Sequence, residues 1–308
     1  MEKTKPLILQ FLDYTAKPRL CESQKLPWYM IVFNIFRLWS LSFLLSMIFA
    51  LLANFLLNQA GYSDEDFKLV ELITGFSPLF IFLLVVFWAS ISEELGFRLW
   101  LRFSPVKWGL GLAFFVFFLT SLIRLPFIPE QYFTFSSGLG FLTSFLLIGS
   151  VFFLIFLLLK RENIGKIVET FFKRNFPFFF YTLAIFFAVI HITNYDVDLK
   201  TIWYFAPILI FPQLLLSFVI SFIRMKYGFL WAVLTHSLNN AIAVTPLLFL
   251  APILENESLF LEGVYIVEEL SFYEMYLVVV IGFFLLMVFF LCFLSILSLL
   301  LEFTKREE

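Results

Sequence analysis

A chain of 308 residues that is 62% hydrophobic and only 14% charged departs sharply from soluble globular domains, which carry about a quarter charged residues. The formal net charge of −2, with no clustered basic footprint, gives no sign of nucleic-acid binding. Two cysteines, Cys21 in a polar segment and Cys292 in an apolar run, offer no disulfide framework.

A membrane span needs about 20 mostly apolar residues. Eight stretches meet that need: 29–57, 69–92, 107–124, 138–159, 175–195, 202–223, 228–250 and 275–302. The first 27 residues mix polar and apolar types, and the run after them is too long for a signal h-region, so no cleavable signal peptide is expected. Arg37 lies near the inner end of the first span and is expected to snorkel toward water. The second span continues as helix to about Phe103, where Pro105 disfavours helix in the residue before it. The stretch from Lys160 to Arg174 is basic and faintly amphipathic, which suits equally a segment lying along the cytoplasmic membrane surface and a solvated positive-inside loop. The aromatic run from Phe176 to Tyr181 reads as lipid-facing packing and interfacial anchoring. The connection near 253–274 is acidic and lacks basic residues.

Lysine and arginine alternate between the two sides. The N-terminal tail, the even-numbered connections and the C-terminus hold nearly all of the 21, against Lys68, Arg124 and Lys200 on the other side. Both termini are therefore expected in the cytoplasm. The expectation is an all-α polytopic transmembrane helical bundle of about eight spans, in which residues 1–308 form a single integral membrane domain, placed in the plasma (inner) membrane.

Ionisable groups at membrane depth are costly and mark function or pairing. The chain keeps Glu93, Glu94 and Arg98 on span two, His191 near the end of span five, and His236 with Asn240 in span seven. His191 and His236 are the only two histidines. Residues four apart share a helix face, so Glu94 can pair with Arg98 and His236 can stand beside Asn240. Glu93 then points about 100° away, toward a cavity between helices. Two carboxylates, two imidazoles and an amide suffice to activate a water and hold an oxyanion.

Three stretches together resemble the CAAX-protease and bacteriocin-processing family. Glu93, Glu94 and Arg98 in SEELGFRLWL match Glu-Glu-x-x-x-Arg. Phe187 and His191 in FFAVIHITNY match Phe-x-x-x-His. His236 and Asn240 in YGFLWAVLTHSLNN match His-x-x-x-Asn. The motifs define a core of 69–250. Within it, nearly a hundred residues separate Glu93 from His191, an apparent two-span insertion around 107–160. Leu99 stands where the family often has glycine. The resemblance implies an intramembrane endopeptidase acting on a membrane-associated protein or peptide. In it Glu93 and His191 activate water, His236 and Asn240 stabilise the oxyanion, and Glu94 with Arg98 orients the site. An older reading of the family is zinc-dependent; zinc accepts such ligands, but no HExxH-type spacing is present, and the cofactor-free, metal-free version is favoured.

Two other classes compete. A membrane scaffold or immunity-type protein would use the polar cluster structurally. A transporter is weaker, because no inverted repeat or broken-helix pair marks a midplane site.

Overall fold

The structure, a computed structural model, describes residues 5–59, 61, 77–123, 138–194, 203–254, 260–261, 264–265 and 271–304. Ten helices order them: α1 (Leu7–Ala16), α2 (Trp28–Gln59), α3 (Pro78–Leu101), α4 (Pro105–Ile123), α5 (Gly138–Lys160), α6 (Glu162–Arg174), α7 (Phe176–Ile190), α8 (Ala206–Lys226), α9 (Phe229–Leu254) and α10 (Phe272–Thr304). A minimal antiparallel pair, Phe260–Leu261 with Val264–Tyr265, is the only strand pairing among the described residues. The fold is an all-α helical bundle. Among the described residues five helices (α2, α3, α5, α8 and α10) are long and apolar enough to cross a membrane, or six if α6 and α7, bent by 79°, count as one broken span. The protein is an integral membrane protein. Helix occurs within each of the eight stretches expected to span, whereas the acidic connection near 253–274, with Lys68, Arg124 and Lys200, falls largely outside the described residues.

Polarity is distributed as lipid demands. Leu51, Phe55, Phe145, Leu154, Phe283 and Leu286 are all more than half exposed, while Ser40, Ser42, Ser144, Ser217 and Thr235 are buried. Without a hydrophobic drive between helices, small hydroxyl residues line the contacts and back-bond to their own helices, as Ser40 does to Phe36 O at 2.7 Å and Thr235 to Trp231 O at 2.7 Å.

Local sequence explains the boundaries. Ser77 caps α3, its Oγ accepting from Phe80 N, with Pro78 at the first helical position. Seven residues of α3, Leu83–Ala89, are π-helical; the α-helical stretch Ser90–Phe97 follows, and Leu99–Leu101 tightens to 3-10. Pro105, expected to stop one helix, opens the next as the first residue of α4. Gly228, at φ +115°, makes the reversal between α8 and α9 in a region that side chains other than glycine avoid.

Three expectations change in the folded chain. Arg37 does not snorkel: it is 3% exposed, donates to Glu302 Oε1 at 2.6 Å and to Ser298 O at 3.1 Å, and so ties α2 to α10. Burial leaves a guanidinium no option but a partner. The Phe176–Tyr181 run is not all lipid-facing. Phe178 is exposed, but Phe176 and Phe180 are buried, and the Tyr181 hydroxyl lies 2.7 Å from Thr15 O, to which it donates. The 160–174 connection is more than faintly amphipathic: α6 exposes Ile167 and Phe171 and buries Phe172 against Trp108, with Lys166 and Lys173 paired to Glu162 and Glu169 one turn back. Its exposed apolar residues suit the interfacial plane.

The N-terminal segment is part of the bundle. Leu7, Phe11 and Tyr14 recur at helical spacing and are buried. Phe11 and Tyr14 each set an edge against Phe222 of α8, at 5.6 Å between ring centres. Gln24 N then donates to Lys226 O at 2.7 Å, and Arg102 donates to Cys21 O, Ser23 Oγ and Met225 O. Burial drives the Tyr14 phenol well above its ordinary pKa and raises the Cys21 thiol.

Helices α4 and α5 pack on each other, and α4 packs on α3. Gly96 of α3 faces the Phe118 ring of α4, and Gly111 of α4 faces Trp100 of α3 so closely that an added Cβ would lie 2.8 Å from the indole. We expect Gly111→Val to cost about 1–3 kcal/mol by overpacking, read as a lowered midpoint of thermal unfolding in detergent. An unchanged midpoint would mean that α4 is not seated on α3 in this way.

Candidate active site

Three helices deliver the polar cluster. The stretch Ser90–Phe97 of α3 turns Glu93 and Glu94 toward different neighbours, α7 ends at Ile190 and presents His191 in the following 3-10 turn, and α9 presents His236 on its second turn. Glu94 and Arg98 make the expected i, i+4 pair: Arg98 Nη1 donates to Glu94 Oε1 at 2.9 Å, with the side chains 0% and 1% exposed. The other arm of Arg98 donates to Ser217 Oγ of α8 at 2.8 Å. His236 Nδ1 lies 2.9 Å from the same Glu94 oxygen.

Acceptors opposite the ring nitrogens assign the protons. Glu94 Oε1 accepts from His236 Nδ1, and Phe187 O, at 2.6 Å, accepts from His191 Nδ1. Both neutral imidazoles therefore keep a bare Nε2. Both of these nitrogens face Glu93 Oε2, at 3.6 Å from His191 and 3.7 Å from His236. Those separations exceed a direct hydrogen bond and are too short for a water on the line between the atoms; a water in reach of both would sit beside that line. Glu93 Oε2 is buried without a hydrogen-bond partner.

Phe187 forms the floor. Its ring is fully buried, with the Arg98 guanidinium 3.8 Å above its centre, His191 at 4.6 Å, His236 at 5.6 Å and Phe97 at 5.5 Å. Cation–π attraction and packing together fix the guanidinium and both imidazoles.

Asn240 is not brought into this cluster by its donors. Its Nδ2 donates to Val85 O and to Ser90 Oγ, each at 3.1 Å, both on α3. The amide so clamps α9 to the π-helical stretch, where widened turns free backbone groups. Sequence reasoning missed Ser217, Ser90 and Val85 as partners. One buried serine among many carries no signal, and a π-helix has none in the residue pattern.

The flank toward the N-terminal segment is packed. Phe97, Arg98, Phe180, Phe222 and Ile223 are each less than 5% exposed, whereas Glu93 and His191 side chains are 15% exposed. As for zinc, no group of three or more His, Cys, Asp or Glu side chains among the described residues is spaced to hold a metal ion, so the donor set as placed does not make a metal cage. Compared with known protein families, with curated proteins and with solved structures, the chain gave no match.

Proposed function

We propose that this chain is an intramembrane endopeptidase, similar to the CAAX-processing and bacteriocin-maturing proteases, oriented with both termini in the cytoplasm of a plasma (inner) membrane. The observation that carries the reading is the convergence of both imidazoles on the Glu93 carboxylate, at 3.6 and 3.7 Å. Its substrate is a membrane-associated protein or peptide.

In this mechanism water held beside Glu93 and His191 gives a proton to Glu93 as its oxygen bonds to the scissile carbonyl carbon. His236 takes up a solvent proton at its bare Nε2, with the resulting imidazolium balanced by Glu94 through Nδ1, and donates that N–H to the oxyanion as a hydrogen bond without giving the proton away. When the intermediate collapses, the C–N bond breaks and the proton on Glu93 passes to the leaving amine. Arg98 holds Glu94, and Phe187 holds all three rings and the guanidinium in register.

The test is hydrolysis by the full-length protein in proteoliposomes. Peptides ending in a prenylated cysteine motif and single-span peptides serve as probes, in water enriched in oxygen-18. The expected outcome is a cut peptide bearing the heavy isotope at its new carboxylate. No turnover of any probe, with intact fold, favours the scaffold reading instead.

Asn240 separates the two readings at one residue. Because its donors hold α3, Asn240→Ala is expected to cost about 1–3 kcal/mol of stability through the orphaned carbonyl. An unaltered unfolding midpoint with turnover reduced about 100-fold would instead return Asn240 to the oxyanion role.

A further inference from the structure

A second polar site lies outside the Glu–His cluster, between the N-terminal segment and the end of α8. It is a cavity of about 390 Å³, in the size range of small-ligand sites. Lys226 forms part of its wall and is only 8% exposed. Its ammonium donates to the neutral Gln10 side chain, lies 5.1 Å from the centre of the Phe222 ring, and makes no ion pair among the described residues. The Glu302 carboxylate acts on this buried cation only through space, being bonded itself to Arg37 and Leu7 N, so a directly bound anion would offset more of the cost of burial. Arg19, also on the wall, makes no side-chain hydrogen bond or ion pair among the described residues.

The remaining charges on the wall are accounted for. Lys5 and Asp13 pair with each other, and Glu22 is exposed at the rim. Outside the wall, Arg102 and Arg224 add to the positive field. Arg102 is held by backbone carbonyls and Ser23, and Arg224 by Arg98 O and Leu99 O; neither has a carboxylate partner. Lys226 is also the last residue of a helix long enough to cross the bilayer, which puts the cavity at the level of lipid headgroups.

We propose that this cavity binds a phosphate ester, with Lys226 and Arg19 as its two cationic contacts. The chemistry is shared by a phospholipid headgroup and a soluble phosphate monoester, and Glu22 at the rim can accept from a headgroup amine or hydroxyl. The site is independent of the protease reading, since none of its residues touches Glu93, His191 or His236.

The experiment uses the full-length protein in phosphatidylcholine nanodiscs and follows thermal unfolding by tryptophan fluorescence. Phosphatidylglycerol is titrated into the discs, and glycerol 3-phosphate into the buffer. The expected result is a rise in the unfolding midpoint with one of them. The half-saturating concentration should increase about tenfold in Arg19→Gln, as when one charged hydrogen bond is lost. Arg19 is exposed, so that variant keeps its unliganded midpoint; Lys226→Gln should show the same loss. A rise with phosphatidylglycerol alone identifies a lipid, and a rise with glycerol 3-phosphate identifies a soluble ester. No rise with either overturns the proposal, as does a rise weakened equally by Lys173→Gln on α6, which would be a general surface-charge effect.

Discussion

Glu93→Gln is expected to lower the turnover of any cleaved substrate by about 100- to 10,000-fold while leaving the unfolding midpoint unchanged or slightly raised. The two halves of that statement have separate causes. Glutamine keeps the length and shape of the side chain but cannot take the proton from water, so the chemical step loses its base. Stability survives because the Glu93 oxygen that faces the histidines has no hydrogen-bond partner to lose, and replacing a buried carboxylate by an amide removes a charge from a poorly solvated place. Glu93→Asp tests position separately from chemistry: the carboxylate withdraws by one methylene from both Nε2 atoms, and turnover should fall without vanishing. Steady-state hydrolysis beside calorimetry of the same preparations makes the comparison. Full activity in Glu93→Gln would end the proposed mechanism.

Arg98→Met should do the reverse, unfolding the bundle before chemistry is reached. The guanidinium is bonded at two places, to Glu94 and Ser217, and lies over Phe187. Methionine fills much of the same volume but leaves Glu94 fully buried, with one oxygen already unpartnered and the other bonded only to His236. Removing one member of a buried pair costs about 3–5 kcal/mol, because the remaining charge is stranded. The double variant Glu94→Gln, Arg98→Met should recover part of that loss, since no charge is then left behind. Chemical unfolding in detergent measures all four corners of the cycle. A cost for Arg98→Met below about 1 kcal/mol would show that this pair does not hold the helices together. The contrast with Glu93 is the useful one: the two variants together test whether adjacent carboxylates on one helix serve stability and reactivity separately.

The spans could be read from the sequence because a membrane imposes length and apolarity on each helix, and because the exceptions stand out. Glu93, Glu94, Arg98, His191 and His236 are visible as costly groups in apolar runs, and the 100° step from Glu94 to Glu93 separates Arg98 from His191 as their partners, although His236 meets both carboxylates through opposite ring nitrogens. Asn240 was visible for the same reason, but its bonding was not: its acceptors are a backbone carbonyl and a serine on another helix, and nothing local encodes them. Arg37 was misread because position along a helix shows depth, whereas its acid, Glu302, lies at the far end of the chain. The docking of α1 had a signal in the spacing of Leu7, Phe11 and Tyr14, masked by the polar residues between them. Half of the aromatic run from Phe176 turned inward for the same reason. Sequence shows which rings share a face and leaves open which face meets protein.

The bend between α6 and α7 has a consequence for water. Helix α7 has 15 residues, so it rises about 22 Å, well short of a hydrocarbon core of about 30 Å. A bilayer meeting so short a segment thins beside it. His191 opens the 3-10 turn that follows and runs to Asn194, where such thinning would draw the aqueous boundary inward. The proposed hydrolysis must recruit its second reactant from an adjacent phase, and hydrophobic mismatch at α7 would bring that phase toward the imidazole without requiring a pore through the bundle.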